Sequence, residues 1–85
     1  MTRQEIPSRA RGIIAKHFIM SEVPDDFVVG GALLTDEDLQ LAFATGIGVN
    51  VFISTPKTTV AMLIRGLESE WDKLPEWRRK KLEAV

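Results

Sequence analysis

The sequence predicts an all-α fold, a small bundle of four to five short helices, and three observations lead there. Apolar residues recur at helical spacing in two stretches, Ala10 to Phe18 and Val60 to Trp71. Between them, Thr35 followed by Asp36, Glu37 and Asp38 reads as a helix start, a hydroxyl for free amides and then carboxylates at the positive end of the helix dipole. Glycine and proline at positions 24, 30, 31, 46, 48 and 75 cut the chain into pieces too short for long helices.

The first helix is expected from about Arg9 to Ile19, with Ser8 as its cap. Ala10, Ile13, Ile14, His17 and Phe18 share one stripe, and Arg9, Gly12 and Lys16 lie opposite. Pro24, the aspartates 25 and 26, and Gly30-Gly31 then argue against a helix anywhere in Ser21 to Leu34. Val23, Phe27, Val28, Val29, Leu33 and Leu34 make this stretch too apolar for a free linker, so a long ordered loop packing across the core is expected. The second helix begins at the Thr35 cap, buries Leu39, Ala42 and Phe43, and stops at Gly46 and Gly48.

Residues 47–53 alternate apolar and small or polar side chains and are rich in β-branched types, which fits either a short helix or a minor strand near 49–53. Such a strand has Phe27-Val28-Val29 or a second chain as its available partners. Ser54 or Thr55 then caps a helix with Pro56 in its first turn, and Val60, Leu63, Ile64, Leu67 and Trp71 form its buried stripe. Thr58, Met62, Arg65 and Ser69 make up the opposite face. Leu74-Pro75 breaks the run, and Glu76 to Ala84 reads as a final helix anchored by Trp77 and Leu82.

At 85 residues the chain is read as one domain, 1–85, with a thin stability margin, because a fold of this size buries only about 60% of its unfolded surface. An apolar fraction of 45% with 27% charged residues indicates a globular protein and excludes the disordered and fibrous classes. Without cysteine there is neither a disulfide framework nor a thiolate metal site. The start has no apolar signal core, and the longest uncharged stretch, Leu39 to Pro56, is interrupted by polar and glycine residues, so no membrane span and a cytoplasmic location are expected. The net charge of −1 gives no bulk attraction to nucleic acid, although basic residues gather at both ends and acids between Glu22 and Asp38.

Catalysis is not expected. A triad needs a nucleophile, a base and an orienting acid, and His17, the one histidine, sits in an apolar stripe as a core or boundary residue with a hydrogen-bond partner. The acidic residues lack calcium-loop spacing, and the glycine pairs lack the Gly-Lys-Ser/Thr of a phosphate loop. No cofactor, metal or small-molecule substrate is therefore expected. The run Arg78 to Lys81 winds around its helix and reads as a solvated face.

Binding is what remains, and two resemblances give it content. With Ala42 at a helix crossing, Gly46 at a turn and Ile47 after it, Thr35 to Ile47 resembles the first helix and turn of a helix-turn-helix DNA-binding motif. The resemblance implies a regulator of transcription that binds double-stranded DNA, with Thr55, Lys57, Thr58, Thr59 and Arg65 meeting phosphates or base edges. The second covers 9–67: Ile13 to Phe18, the loop Val23 to Phe27, Asp36-Glu-Asp-Leu39 and Thr58-Thr-Val60 resemble an acyl carrier protein. That family attaches phosphopantetheine to the serine of Asp-Ser-Leu, whereas this chain has Asp38 before Leu39, which implies a fold without carrier activity. The alternative function is thus a helical module docking to a protein partner, homodimer included, through Glu37, Asp38, Leu41 and Met62. The DNA-binding function is the first choice from sequence.

Overall fold

Helix 1 starts earlier than its hydroxyl signal suggests. In the computed structural model, which describes residues 3–43 and 56–84, a 3-10 turn at Arg3–Glu5 leads directly into α1 (Ile6–Phe18). Pro7 occupies the first turn, where its missing N–H costs nothing and its fixed φ suits the helix, and this outweighs Ser8 as a start signal. Ala10, Ile13 and Ile14 are buried as the stripe requires, and Ile6 joins them. Beyond Phe18 the chain turns through Ile19, whose φ of 55° is left-handed. Met20 N–H donates to the Ala15 carbonyl at 2.8 Å and Ile19 N–H to the Lys16 carbonyl at 3.4 Å, closing the helix in a Schellman pattern.

The loop after α1 is ordered, as its apolar content suggested, but it is shorter than expected. Arg11 on α1 holds it by donating to the Val23 carbonyl at 2.8 Å and to the Asp25 carboxylate. Its end pairs with the segment before the next long helix through an isolated antiparallel bridge between Val28 and Thr59. A helix then forms where none was expected: α2 (Gly30–Thr35). Two glycines disfavour it by about 1 kcal/mol each. The amides of Val29 and Gly30 nevertheless both donate to the Thr58 carbonyl, at 2.8 and 3.1 Å, which fixes the chain at the helix entry. Burial of Val29 and Leu33 completes the override of local propensity by tertiary contact.

Thr35 is consequently the last residue of α2 and not the cap of the next helix. Its hydroxyl donates back to the Gly31 carbonyl at 3.1 Å. The cap is Asp36, whose Oδ1 accepts the Leu39 amide at 2.9 Å, and α3 (Glu37–Phe43) follows with Leu39, Ala42 and Phe43 buried as expected. The anticipated stop at Gly46 and Gly48, the strand near 49–53, and the caps Ser54 and Thr55 lie outside the described residues.

Pro56 and Lys57 form a turn and not the first turn of a helix. Helix α4 (Val60–Glu70) starts four residues later, capped by Thr59, whose hydroxyl accepts the Met62 amide at 3.4 Å. Val60, Leu63, Ile64 and Leu67 are buried, as is Trp71, which opens the 3-10 turn Trp71–Lys73. After Leu74 and Pro75, α5 (Glu76–Glu83) is anchored by buried Leu82. Trp77, expected as a second anchor, is 55% exposed under the Arg78 guanidinium, whose carbon lies 4.0 Å from the ring centre.

Helix α1 packs chiefly on α4, α5 on α3 and α1, and α2 on α3. The fold is therefore the expected small all-α bundle, with no strand among the described residues. Its buried side chains form one cluster to which each of the five helices among the described residues contributes. The Cα radius of gyration of 11.4 Å agrees with the roughly 12 Å expected for a folded chain of this length.

Candidate functional site

The residues assigned to DNA contact do not form one surface. Thr58 is 0% exposed, because α4 begins after it and the preceding segment lies under the 23–29 loop. The Thr59 hydroxyl serves its own helix as a cap. Lys57 and Arg65 are exposed, the first in the turn before α4 and the second on its outer face, and Thr55 lies outside the described residues. The N-terminus of α4, the end that would face a phosphate or a base, is covered: Val60 N–H donates to the Phe27 carbonyl at 2.9 Å and Ala61 N–H to the Asp25 carbonyl at 3.1 Å. This leaves the Asp25 backbone where an anion would have to approach.

The residues assigned to protein docking fare differently. Glu37 and Asp38 occupy the exposed first turn of α3 and make no ion pair among the described residues. Leu41 lies one turn after Glu37, on the side of α3 away from Leu39, Ala42 and Phe43, and is half-buried. Leu34, at the end of α2, adds an exposed apolar side chain next to this turn, and its carbonyl accepts from Gln40 Nε2 at 2.6 Å. Met62 stands apart on α4, whose main neighbour is α1.

Asp36 organises the junction. While Oδ1 caps α3, Oδ2 lies 3.0 Å from His17 Nε2, so one carboxylate ties the last turn of α1 to the first turn of α3. His17 is thus a boundary residue with a hydrogen-bond partner, its side chain 32% exposed. At the other end of α3, Arg78 reaches in from α5 and donates to the carbonyls of Leu41 and, at 3.5 Å, Gln40. These belong to the last four carbonyls of the helix, which have no partner within it. Burial there pulls the Arg78 pKa below its ordinary value, although the guanidinium stays charged at neutral pH.

The basic run is thereby divided by role. Arg78 serves α3, Lys80 pairs with Glu76 at 3.3 Å, and Lys81 points to a groove of about 510 Å³ between α1, α3 and α5. Ile13, Leu39, Ala42 and Ala84 give the groove an apolar lining, and Lys16, His17 and Asp38 complete its rim. Sequence reasoning missed it, since its walls come from three separate helices and no motif marks it. A second groove of about 620 Å³ runs between α1 and the loop at 21–24, and its basic group, Arg11, is already bonded to Val23 and Asp25.

Among the described residues no cluster of three or more His, Asp or Glu is disposed to hold a metal, and no helix is long and apolar enough to cross a membrane. The chain matches no family model, no curated protein and no solved structure.

Proposed function

We propose that this chain is a non-catalytic protein-docking module that offers the first turn of α3, with Glu37, Asp38 and the flanking apolar Leu41, to a basic partner surface. The observation that carries this reading is the covering of the α4 N-terminus by the Asp25 and Phe27 carbonyls, together with burial of Thr58. It removes the principal contact end from a DNA-recognition helix, whereas the acidic turn of α3 stays open. Two exposed carboxylates without an ion-pair partner among the described residues favour a cationic partner and steer its approach. This geometry favours docking over the DNA contact preferred from sequence.

The test compares two variants. The double variant Glu37→Lys/Asp38→Lys should lose a protein partner retained by the parent chain at low salt, while Lys57→Ala/Arg65→Ala should retain it. Salt-sensitive binding of duplex DNA that disappears in Lys57→Ala/Arg65→Ala would overturn the proposal in favour of DNA recognition.

A further inference from the structure

The outer faces of α3 and α5 carry matching patterns. On α3, Glu37 and Leu41 stand four residues apart on the side opposite Leu39, Ala42 and Phe43, Glu37 exposed and Leu41 half-buried. On α5, Trp77 and Lys81 stand four residues apart on one face, and both are exposed. One face therefore reads acidic then apolar, and the other apolar then basic. Laid antiparallel, they set Glu37 against Lys81 and Leu41 against Trp77.

Within one chain the two helices already run antiparallel: Arg78 reaches the Leu41 and Gln40 carbonyls at one end, and Asp38 and Lys81 line the same groove at the other. Their levels agree, since Asp38 lies three residues before Leu41 and Lys81 three after Arg78, about 4.5 Å along each helix. The two faces nevertheless stay unpaired inside the chain. Glu37, Asp38 and Lys81 make no ion pair among the described residues, and Trp77 keeps 55% of its surface exposed.

We infer that this chain docks on a second copy of itself through these faces, an inference that rests on the docking reading of α3 and names its partner. Charge complementarity selects the copy. The surface that Glu37 and Leu41 call for, a lysine one turn from an exposed apolar side chain, is the outer face of α5. A two-fold axis parallel to the helices lays α3 of one protomer on α5 of its partner, and α5 on α3, with the levels unchanged. Each pairing is then made twice, as in the isologous interface of two-fold homodimers, and four helices pack antiparallel where the copies meet. The exposed apolar area is small, so the dimer belongs to the weak, salt-dependent class, with a Kd on the order of 100 µM at low salt.

The test is sedimentation of the purified full chain from about 10 µM to about 1 mM at low salt, where an equilibrium between monomer and dimer is expected. Glu37→Lys and Lys81→Glu should each weaken the dimer about ten-fold or more, because each sets like charges against one another at two places. An equimolar mixture of these two variants regains opposite charges at both places and should associate within about three-fold of the parent. That recovery also requires both variants to be folded. Trp77→Ala should weaken the dimer about ten-fold, since exposed aromatic side chains are the usual anchors of such contacts. A parent chain still monomeric at about 1 mM, a dimer indifferent to Glu37→Lys or Lys81→Glu, or no recovery in the mixture would each overturn the self-pairing. A monomeric parent would leave the docking reading of α3 standing with another protein as partner. The docking reading falls separately, on salt-sensitive binding of duplex DNA that needs Lys57 and Arg65.

Discussion

Ile19 has a conformation that its side chain does not favour. A left-handed backbone costs an L-residue about 1–2 kcal/mol, and a β-branched residue is among the least suited to it. With 93% of its surface exposed, Ile19 recovers little by packing. Glycine is the usual occupant of this position in a Schellman closure. Replacing Ile19 by glycine removes the strain but returns about 0.5–1 kcal/mol through the greater freedom of the unfolded chain. The variant should therefore be more stable by about 0.5–1 kcal/mol, read as a higher denaturant midpoint at unchanged slope. Arg78 is the opposite case, a member of a basic run whose side chain turns inward to bind backbone. Arg78→Ala leaves the Gln40 and Leu41 carbonyls without their donor and should cost about 1–2 kcal/mol. The control is its neighbour: Arg79→Ala should change stability by less than about 0.5 kcal/mol, because the Arg79 side chain makes no bond among the described residues.

At the scale of elements, the caps decide where helices begin. Asp36→Ala removes both the α3 cap and the His17 partner and should cost about 1–2 kcal/mol, whereas Asp36→Ser keeps the capping oxygen and should lose less. Combining each with His17→Ala in a double-mutant cycle separates the cap from the link to α1: the coupling with His17 should vanish in the serine background. The same elements show how far the sequence could be read. Helices α1, α3 and α4 were legible because an apolar stripe fixes helix existence and buried face together, as Ala10, Ile13 and Ile14 or Leu63, Ile64 and Leu67 illustrate. Their starts were not, because Thr35 and Asp36 are both competent caps and the choice rests on Gly31 and His17, contacts beyond local sequence. Helix α2 was invisible for the same reason, since its entry is fixed by the distant Thr58 carbonyl. The late start of α4 then moved Thr58 from an expected outer face to the interior. For the groove, Lys16 and Lys81 line one cleft only through the packing of α5 on α1 and α3.

For the whole molecule, the arrangement predicts two kinds of weakness. Leu67 is fully buried in α4, whose stripe faces the common core, so Leu67→Ala should cost about 2–5 kcal/mol. A domain of this size has a total stability of about 5–15 kcal/mol at most, and each kilocalorie corresponds to about 4–8 °C. The Tm should therefore fall by at least about 8 °C in a single transition, with near-uniform loss of amide protection across the described helices. Helix α5 is held by one buried side chain, Leu82, together with polar contacts from Arg9 to the Glu83 carbonyl and from Arg78 to α3. Leu82→Ala should accordingly act locally before it acts globally. Amides of 76–83 should lose protection first, by more than those of α4. Equal loss of protection in α4 and α5 would mean that α5 is an integral part of the cooperative core, and the groove would then be as rigid as the bundle that carries it.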